Sequence, residues 1–373
     1  MKNILVAGAG HIGSMIGELL VSTGDYTVTV ADQSAAALSA IAVRPGLDTL
    51  QISATDRAAL VATMKGRYAV VSAAPYSVTA AIAEAAHEAH IHYLDLTEDV
   101  KTTQTVKELA KTATHALIPQ CGLAPGFISI VGMDLARRFE KLDTLRMRVG
   151  ALPQFPSNAL GYNLTWSTAG VINEYCQPCE AIVGGRLTTV PPLEELEHFA
   201  LDGVQYEAFN TSGGLGTLCE TLDGKVRSLN YRTIRYPGHR DVMKLLLQDL
   251  RLAERPATLA EVLEYAIPGT RQDVVVIFVT ATGQRNGRTW QESYAHSVYP
   301  QLLAGREWTA IQTTTASAVC AVLDLLVAGR LPQQGFVRQE DIRLDEFLAN
   351  RFGRAYADTG STAAEAALLR AAS

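Results

Sequence analysis

The chain has 373 residues, 48% hydrophobic and 19% charged, with a formal net charge of −6. That length accommodates two domains of ordinary size, and the acidic balance excludes a broad basic surface for nucleic acid or anionic lipid. The five cysteines, Cys121, Cys176, Cys179, Cys219 and Cys320, are odd in number and scattered, which suits reduced thiols in a cytoplasmic protein better than a disulfide framework.

Ile4-Leu5-Val6-Ala7 predicts a strand covered on both faces. Gly8, Gly10 and Gly13 then stand in G-x-G-x-x-G spacing, and Ile12, Met15, Ile16, Leu19 and Leu20 fall at helical spacing. Strand, glycine turn and helix in this order predict a dinucleotide cradle of Gly8, Gly10, His11, Ile12 and Gly13, with a pyrophosphate on the helix N-terminus. The second strand, Tyr26-Thr-Val-Thr-Val30, ends near Asp32, 19 residues beyond Gly13, where an acid accepts hydrogen bonds from ribose hydroxyls. Such an acid repels a 2′-phosphate, so NAD is expected in preference to NADP.

The pattern continues with a short helix from Ser34 to Ile41, a strand over 49–53, a helix from Arg57 to Met64 capped by Asp56, and a strand over 68–73. Ala74 and Pro75, at the carboxyl end of that strand, belong beside the cofactor, with Tyr76 following. A helix over 78–90 leads to a strand over 92–97 that carries Asp95, and a sixth strand over 116–120 runs into Cys121, expected near the nicotinamide. A sharp turn through Gly122, Pro125 and Gly126 precedes a helix over 128–139.

From Thr144 the texture changes to strands of an antiparallel or mixed sheet, over 145–149, 180–183 and 274–279. The polar, aromatic stretches between them, 158–170, 209–218 and 231–239, read as long connections of the kind that carry function. Cys176 and Cys179 have C-x-x-C spacing, but no second pair or nearby histidines accompany them, so no metal site is expected. A last helix over 314–326 is followed by a closing stretch over 336–352 and an alanine-rich tail. No run of about eighteen apolar residues stands out, and neither a membrane span nor a signal peptide is expected.

Taken together, the glycine loop, Cys121-Gly-Leu-Ala-Pro-Gly126, Leu160-Gly-Tyr-Asn-Leu-Thr-Trp-Ser167, Phe209-Asn-Thr-Ser-Gly-Gly214, Thr233-Ile-Arg-Tyr-Pro-Gly-His239 and Asp273-Val-Val-Val276 resemble the saccharopine dehydrogenase family, which includes lysine 6-dehydrogenase. The resemblance implies an α/β fold, a Rossmann domain of residues 1–123 plus 306–373 with an inserted α+β substrate and dimerisation domain over 124–305. It also implies a homodimeric NAD(P)-dependent enzyme acting at a C–N bond of a lysine-derived amino acid.

Such an oxidation needs a neutral amine and a substrate carbon about 3–3.5 Å from the nicotinamide. Arg235 is the expected carboxylate clamp, since its fork grips carboxylates bidentately; Arg232 and Arg240 stand next in line. His239, Tyr76 and Asp95 are the candidate proton acceptors, left open among themselves. Trp166 offers a flat wall for a methylene chain or a face for an ammonium, with Thr211 and Ser212 as further substrate contacts. The competing reading is a nucleotide-binding sensor or assembly protein that keeps the fold and performs no chemistry.

Overall fold

The computed structural model describes residues 1–357, and the alanine-rich tail lies outside the described residues. The chain divides into two compact units. The first comprises residues 1–130, 302–306 and 312–357, and the second residues 131–301 and 307–311.

The first unit carries β1 (Lys2–Ala7), α1 (His11–Ser22), β2 (Tyr26–Asp32), α2 (Ala35–Ser39), β3 (Leu47–Gln51), α3 (Arg57–Met64), β4 (Ala69–Ser72), α4 (Tyr76–Ala89), β5 (His92–Asp95), α5 (Val100–Ala110), β6 (Ala116–Ile118) and the start of α6 (Phe127–Ala136). Together with a two-residue strand, Gly335–Phe336, these form a seven-stranded sheet in the order Gly335–Phe336, β6, β5, β4, β1, β2, β3. All its pairings are parallel. Ile4, Leu5 and Val6 are wholly buried, as a central strand with helices on both faces requires. The order reverses between β1 and β4, and ligands of such sheets bind beyond the carboxyl ends of the strands at that point.

The Rossmann pattern expected from the sequence is present, with differences of detail. Asp56 caps α3 by accepting from Ala59 N at 3.0 Å. Helix α5 is an addition to the expected elements, because its sequence is polar. It is nucleated by Asp99, which accepts from Thr102 N at 2.7 Å, and it buries only Thr102, Thr103, Val106 and Ala110. Helix Ala310–Val327 is longer than expected and, contrary to the sequence reading, long and apolar enough to span a membrane. Of that span 72% is buried, the environment of a core helix.

The second unit is built on β7 (Lys141–Pro153), α7 (Thr168–Cys176), β8 (Cys179–Val183), β9 (Arg186–Val190), β10 (Glu197–Leu201), β11 (Val204–Asn210), α8 (Leu218–Leu222), β12 (Ser228–Arg235), α9 (His239–Lys244), α10 (Pro256–Ala266), β13 (Asp273–Arg285) and β14 (Arg288–Val298). Its sheet is mixed: the path runs β10, β11, β12, β7, β13, β14, with β8 against β12 and β9 against β8. Strand β7 is parallel to β12 and antiparallel to β13. Two stretches expected as connections are regular structure. Residues 231–235 complete β12, and Thr168 opens α7, whose cap Ser167 accepts from Gly170 N. Val171, Ile172 and Tyr175 of α7 pack with Phe209, Met243, Leu247, Leu259 and Leu263 in one apolar cluster.

His92, at the start of β5, ties that strand to β6: its Nδ1 accepts from Ala116 N at 3.0 Å. Burial, then the neighbouring His115 and Lys2, press its pKa down to about 4. The fold therefore favours neutral His92. Its contribution is complete above the ordinary histidine value and is lost as pH falls from 6.5 toward 4. At roughly 1.4 kcal/mol per unit, acid unfolding should cost about 2–3 kcal/mol of stability over that window. In His92→Asn, whose amide oxygen accepts without protonation, the decline should flatten; denaturant melts at stepped pH measure it, and an equal slope in both proteins removes His92 as the cause.

Candidate functional site

The glycine loop lies between β1 and α1. Gly8 has φ +114°, and a Cβ there would meet Ala73 O at 2.5 Å, so only glycine is free of strain at that turn. A Cβ on Gly13 would lie 1.9 Å from Gly8 O, while one on Gly10 would meet nothing within 4 Å. The third glycine therefore seats helix on loop, and the second faces open space. Helix α1 has Gly10 as its N-cap, with no side chain closing the end. Its first N–H groups and its dipole thus suit a phosphate. Gly10 and His11 are exposed and Ile12 half-buried.

Asp32 closes β2. Its Oδ2 accepts from Ala9 N and its Oδ1 from Ser34 N, each at 2.8 Å. The two bonds fix a carboxylate against the glycine loop. Ala74 and Pro75 follow β4, and Tyr76, the first residue of α4, is 65% exposed.

Two expected residues of this unit are otherwise engaged. Asp95 is fully buried, accepting from Tyr93 Oη at 2.7 Å, Gln120 N at 2.8 Å and Thr97 N at 3.0 Å. Burial raises its pKa to about 6 against the pull of those three donors. It holds the ends of β5 and β6 together. Cys121 is also fully buried, its thiol directed at Ile118 O (3.1 Å) and accepting from Gln339 Nε2 (3.2 Å). Burial, then Asp95, pushes the thiol's pKa well up.

In the second unit, Arg235 is 2% exposed at the end of β12. Its Nε donates to Tyr175 Oη at 2.8 Å, and its Nη1 to Thr233 Oγ1 at 2.7 Å and Ile234 O at 2.8 Å. The rings of Tyr162 and Tyr175 lie 5.1 and 5.8 Å from its guanidinium carbon. Buried Glu174 acts on it through space, but among the described residues no carboxylate forms an ion pair with it. The two alternatives differ. Arg232 pairs with Glu195 at 2.6 Å and Glu197 at 3.0 Å, and Arg240 with Asp241 at 3.1 Å. Arg235 is the guanidinium of this stretch without an acid paired to it among the described residues, although Arg240 keeps a buried Nε without a partner.

His239 is 1% exposed, its Nδ1 facing Leu160 O and its Nε2 facing Tyr175 Oη, both at 3.0 Å. Burial, then Arg235, presses its pKa down to about 3. Thr211 is buried with no partner for its Oγ1, a hydroxyl of the kind that bound ligands satisfy. Ser212 donates its N–H to Glu174 O at 3.1 Å. Trp166 is half-buried at the edge of the apolar cluster, its ring against Gly170. Tyr175 and Tyr162 join the site without having been singled out by sequence reasoning. The apolar spacing of 171, 172 and 175 behind the Ser167 cap is the available signal.

Cys176 is half-buried and Cys179 buried, both free, and no cluster of three metal-ligating side chains occurs among the described residues.

Comparison with known proteins gives a consistent result. The family model for the saccharopine dehydrogenase NADP binding domain matches residues 4–118, and that for the saccharopine dehydrogenase C-terminal domain matches residues 122–353. Saccharopine dehydrogenase (NADP(+), L-glutamate-forming) of Saccharomyces cerevisiae is 25% identical over 198 residues, covering 51% of this chain and 44% of that protein. Mitochondrial alpha-aminoadipic semialdehyde synthase of Mus musculus is 23% identical over 199 residues, 51% of this chain and 21% of its own length. The match thus spans less than half the length of either relative. The apo structure of the histidine-tagged saccharopine dehydrogenase (L-Glu forming) from Saccharomyces cerevisiae shares the fold, with a TM-score of 0.75 at 17% identity over 91% of this chain and 94% of that one.

The two inner glycines predict opposite phenotypes. Gly10→Val should melt within about 1 kcal/mol of the parent, as surface changes do, yet lose dinucleotide affinity at least tenfold by filling the phosphate space. Gly13→Ala should lose on the order of 1–3 kcal/mol of stability, because the backbone carbonyl it strikes cannot move aside. Thermal melts paired with cofactor fluorescence titrations decide it; a Gly10→Val protein that binds normally means the loop holds no phosphate.

Proposed function

This chain belongs to the saccharopine dehydrogenase family, and from that membership we propose that it is a nicotinamide-dependent dehydrogenase acting at a CH–NH or CH–NH2 centre of a lysine-derived amino acid, of the saccharopine dehydrogenase or lysine 6-dehydrogenase type. The observation that carries the reading is Arg235: a buried cation whose direct partners are a phenol, a hydroxyl and a carbonyl. Burying a charge costs several kcal/mol unless an opposite charge and hydrogen bonds offset it. A substrate carboxylate supplies what these neutral partners leave undone. Thr211, with its unsatisfied hydroxyl, Ser212 and Trp166 complete the proposed substrate contacts.

The cradle of Gly8, Gly10, His11, Ile12 and Gly13, with Ala74 and Pro75, is the proposed seat of the dinucleotide. The bound nicotinamide supplies the hydride acceptor or donor. The protein's share is to hold the carboxylate, orient the reacting carbon and keep the amine neutral. Asp95 and His239 are committed to internal hydrogen bonds, so we propose that the amine loses its proton to solvent, with Tyr76 the remaining side chain of the three that is open to it. The cofactor domain is proposed as residues 1–123 with 306–373, the substrate domain as 124–305, and the working form as a cytoplasmic homodimer. A sensor without catalysis would have no use for an arginine left unpaired by acids.

NAD is the proposed cofactor, although the yeast relative's name specifies NADP(+). Asp32 is an anion fixed beside the glycine loop, and Gln33 and Ser34 bring no cation to it. Asp32→Ser combined with Gln33→Arg should shift the ratio of Kd values toward NADP by at least about tenfold, or 1.4 kcal/mol. Tighter binding of NADP than NAD by the unaltered protein refutes this assignment.

Arg235→Ala should lower kcat/KM for the best amino-acid substrate by two to four decades, the equivalent of about 3–5 kcal/mol for a buried charge that loses its partner. Arg235→Lys, with charge but no planar fork, should recover part of the loss, and cofactor affinity should stay unchanged in both. Turnover by Arg235→Ala within about threefold of the parent makes Arg235 a structural cation.

A further inference from the structure

Arg235 does not hold itself in place. Its Nε–H donates to Tyr175 Oη at 2.8 Å, so the phenol already accepts and has one proton left to give. The acceptor in reach is His239 Nε2, at 3.0 Å. A nitrogen that accepts carries no proton, so the proton of the neutral ring sits on Nδ1, which donates to Leu160 O at 3.0 Å. Each donor is thus matched along one line: guanidinium to phenol, phenol to imidazole, imidazole to backbone carbonyl. Tyr162 stands edge-on to the ring at 5.4 Å. Buried Glu207 fixes the turn beneath it, taking Gly238 N at 2.8 Å and Arg240 N at 2.7 Å, the amides on either side of His239.

We propose that His239 is a positioning residue rather than a proton acceptor: held as the Nδ1–H tautomer on the Glu207-anchored turn, it orients Tyr175, and Tyr175 orients the guanidinium of Arg235 toward a substrate carboxylate. The inference rests on the reading of Arg235 as the clamp. A relay of this kind acts on binding and leaves the chemical step to the cofactor, so its loss raises KM and spares kcat. It also makes its members interdependent, because removing either end breaks the same chain.

The test has two arms. In protein carrying 15N-labelled histidine, His239 should show a protonated Nδ1 and an unprotonated Nε2 that does not titrate between about pH 5 and 8, where a free histidine would. An Nε2–H tautomer, or protonation within that range, overturns the proposal. In kinetics with L-saccharopine and L-lysine as probes, His239→Asn keeps only the donor toward Leu160 and should raise KM roughly thirtyfold, with kcat changed less than about threefold. Tyr175→Phe, an isosteric change that keeps the fold testable if His239→Asn does not express, should do the same. The double variant should be no worse than either single one. His239→Gln, which restores an acceptor facing Tyr175, should recover to within about fivefold of the parent. A fall in kcat at constant KM, or multiplied losses in the double variant, overturns the relay. If the tautomer is as stated but Arg235→Ala leaves turnover intact, the clamp reading is what fails, and the relay loses its role in binding while its hydrogen bonds stand.

Discussion

A guanidinium buried to 2% exposure, without a paired carboxylate among the described residues, is the constraint on which the second unit is arranged. Such a charge is tolerated only when its donors are satisfied and an anion is available. Tyr175, Thr233 and Ile234 take three of its hydrogen bonds, and Tyr162 and Tyr175 present ring faces near it. The parallel pairing of β12 with β7 fixes the strand that carries Arg235, α7 delivers Tyr175, and the turn into α9 delivers His239. Arg232, three residues earlier on β12, shows the other solution: it is neutralised by Glu195 and Glu197. Of the buried arginines among the described residues, Arg148 and Arg232 pair with acids, while the direct partners of Arg235 are neutral.

The first unit answers a different demand. A dinucleotide needs an uncapped helix end and a loop whose backbone can approach the pyrophosphate. Gly10 borders open space while Gly13 cannot carry a methyl group, so two glycines in one motif serve opposite ends, ligand and packing. Asp32 ties strand β2 to the loop through Ala9 and Ser34, which makes this carboxylate a structural part of the loop.

Much of this is legible in the amino-acid sequence. The fully buried β1, the glycine spacing, Asp32 and the Asp56 cap each follow from local chemistry, and local chemistry is what a sequence displays. What it hides depends on partners distant in the chain. The partners of Asp95 in Gln120, of Cys121 in Gln339 and of His239 in Tyr175 and Leu160 are all brought in from elsewhere along the fold. Helix α7 is concealed by its aromatic, polar approach, and α5 by a sequence with little apolar periodicity. Arg232 and Arg240 separate from Arg235 only once their acids are in place.

The proposed function, a nicotinamide-dependent oxidoreduction at a carbon–nitrogen bond, is tested most directly by a turnover screen. Purified protein with NAD, and in parallel NADP, is mixed with L-saccharopine, L-lysine and a broad amino-acid panel while the reduced-cofactor absorbance is followed. The account predicts cofactor reduction with a lysine-derived amino acid bearing the oxidisable amine, and none with analogues whose carboxylates are esterified. Silence across the whole panel, in protein that binds the dinucleotide normally, would contradict it and favour a sensor that keeps the fold without the chemistry.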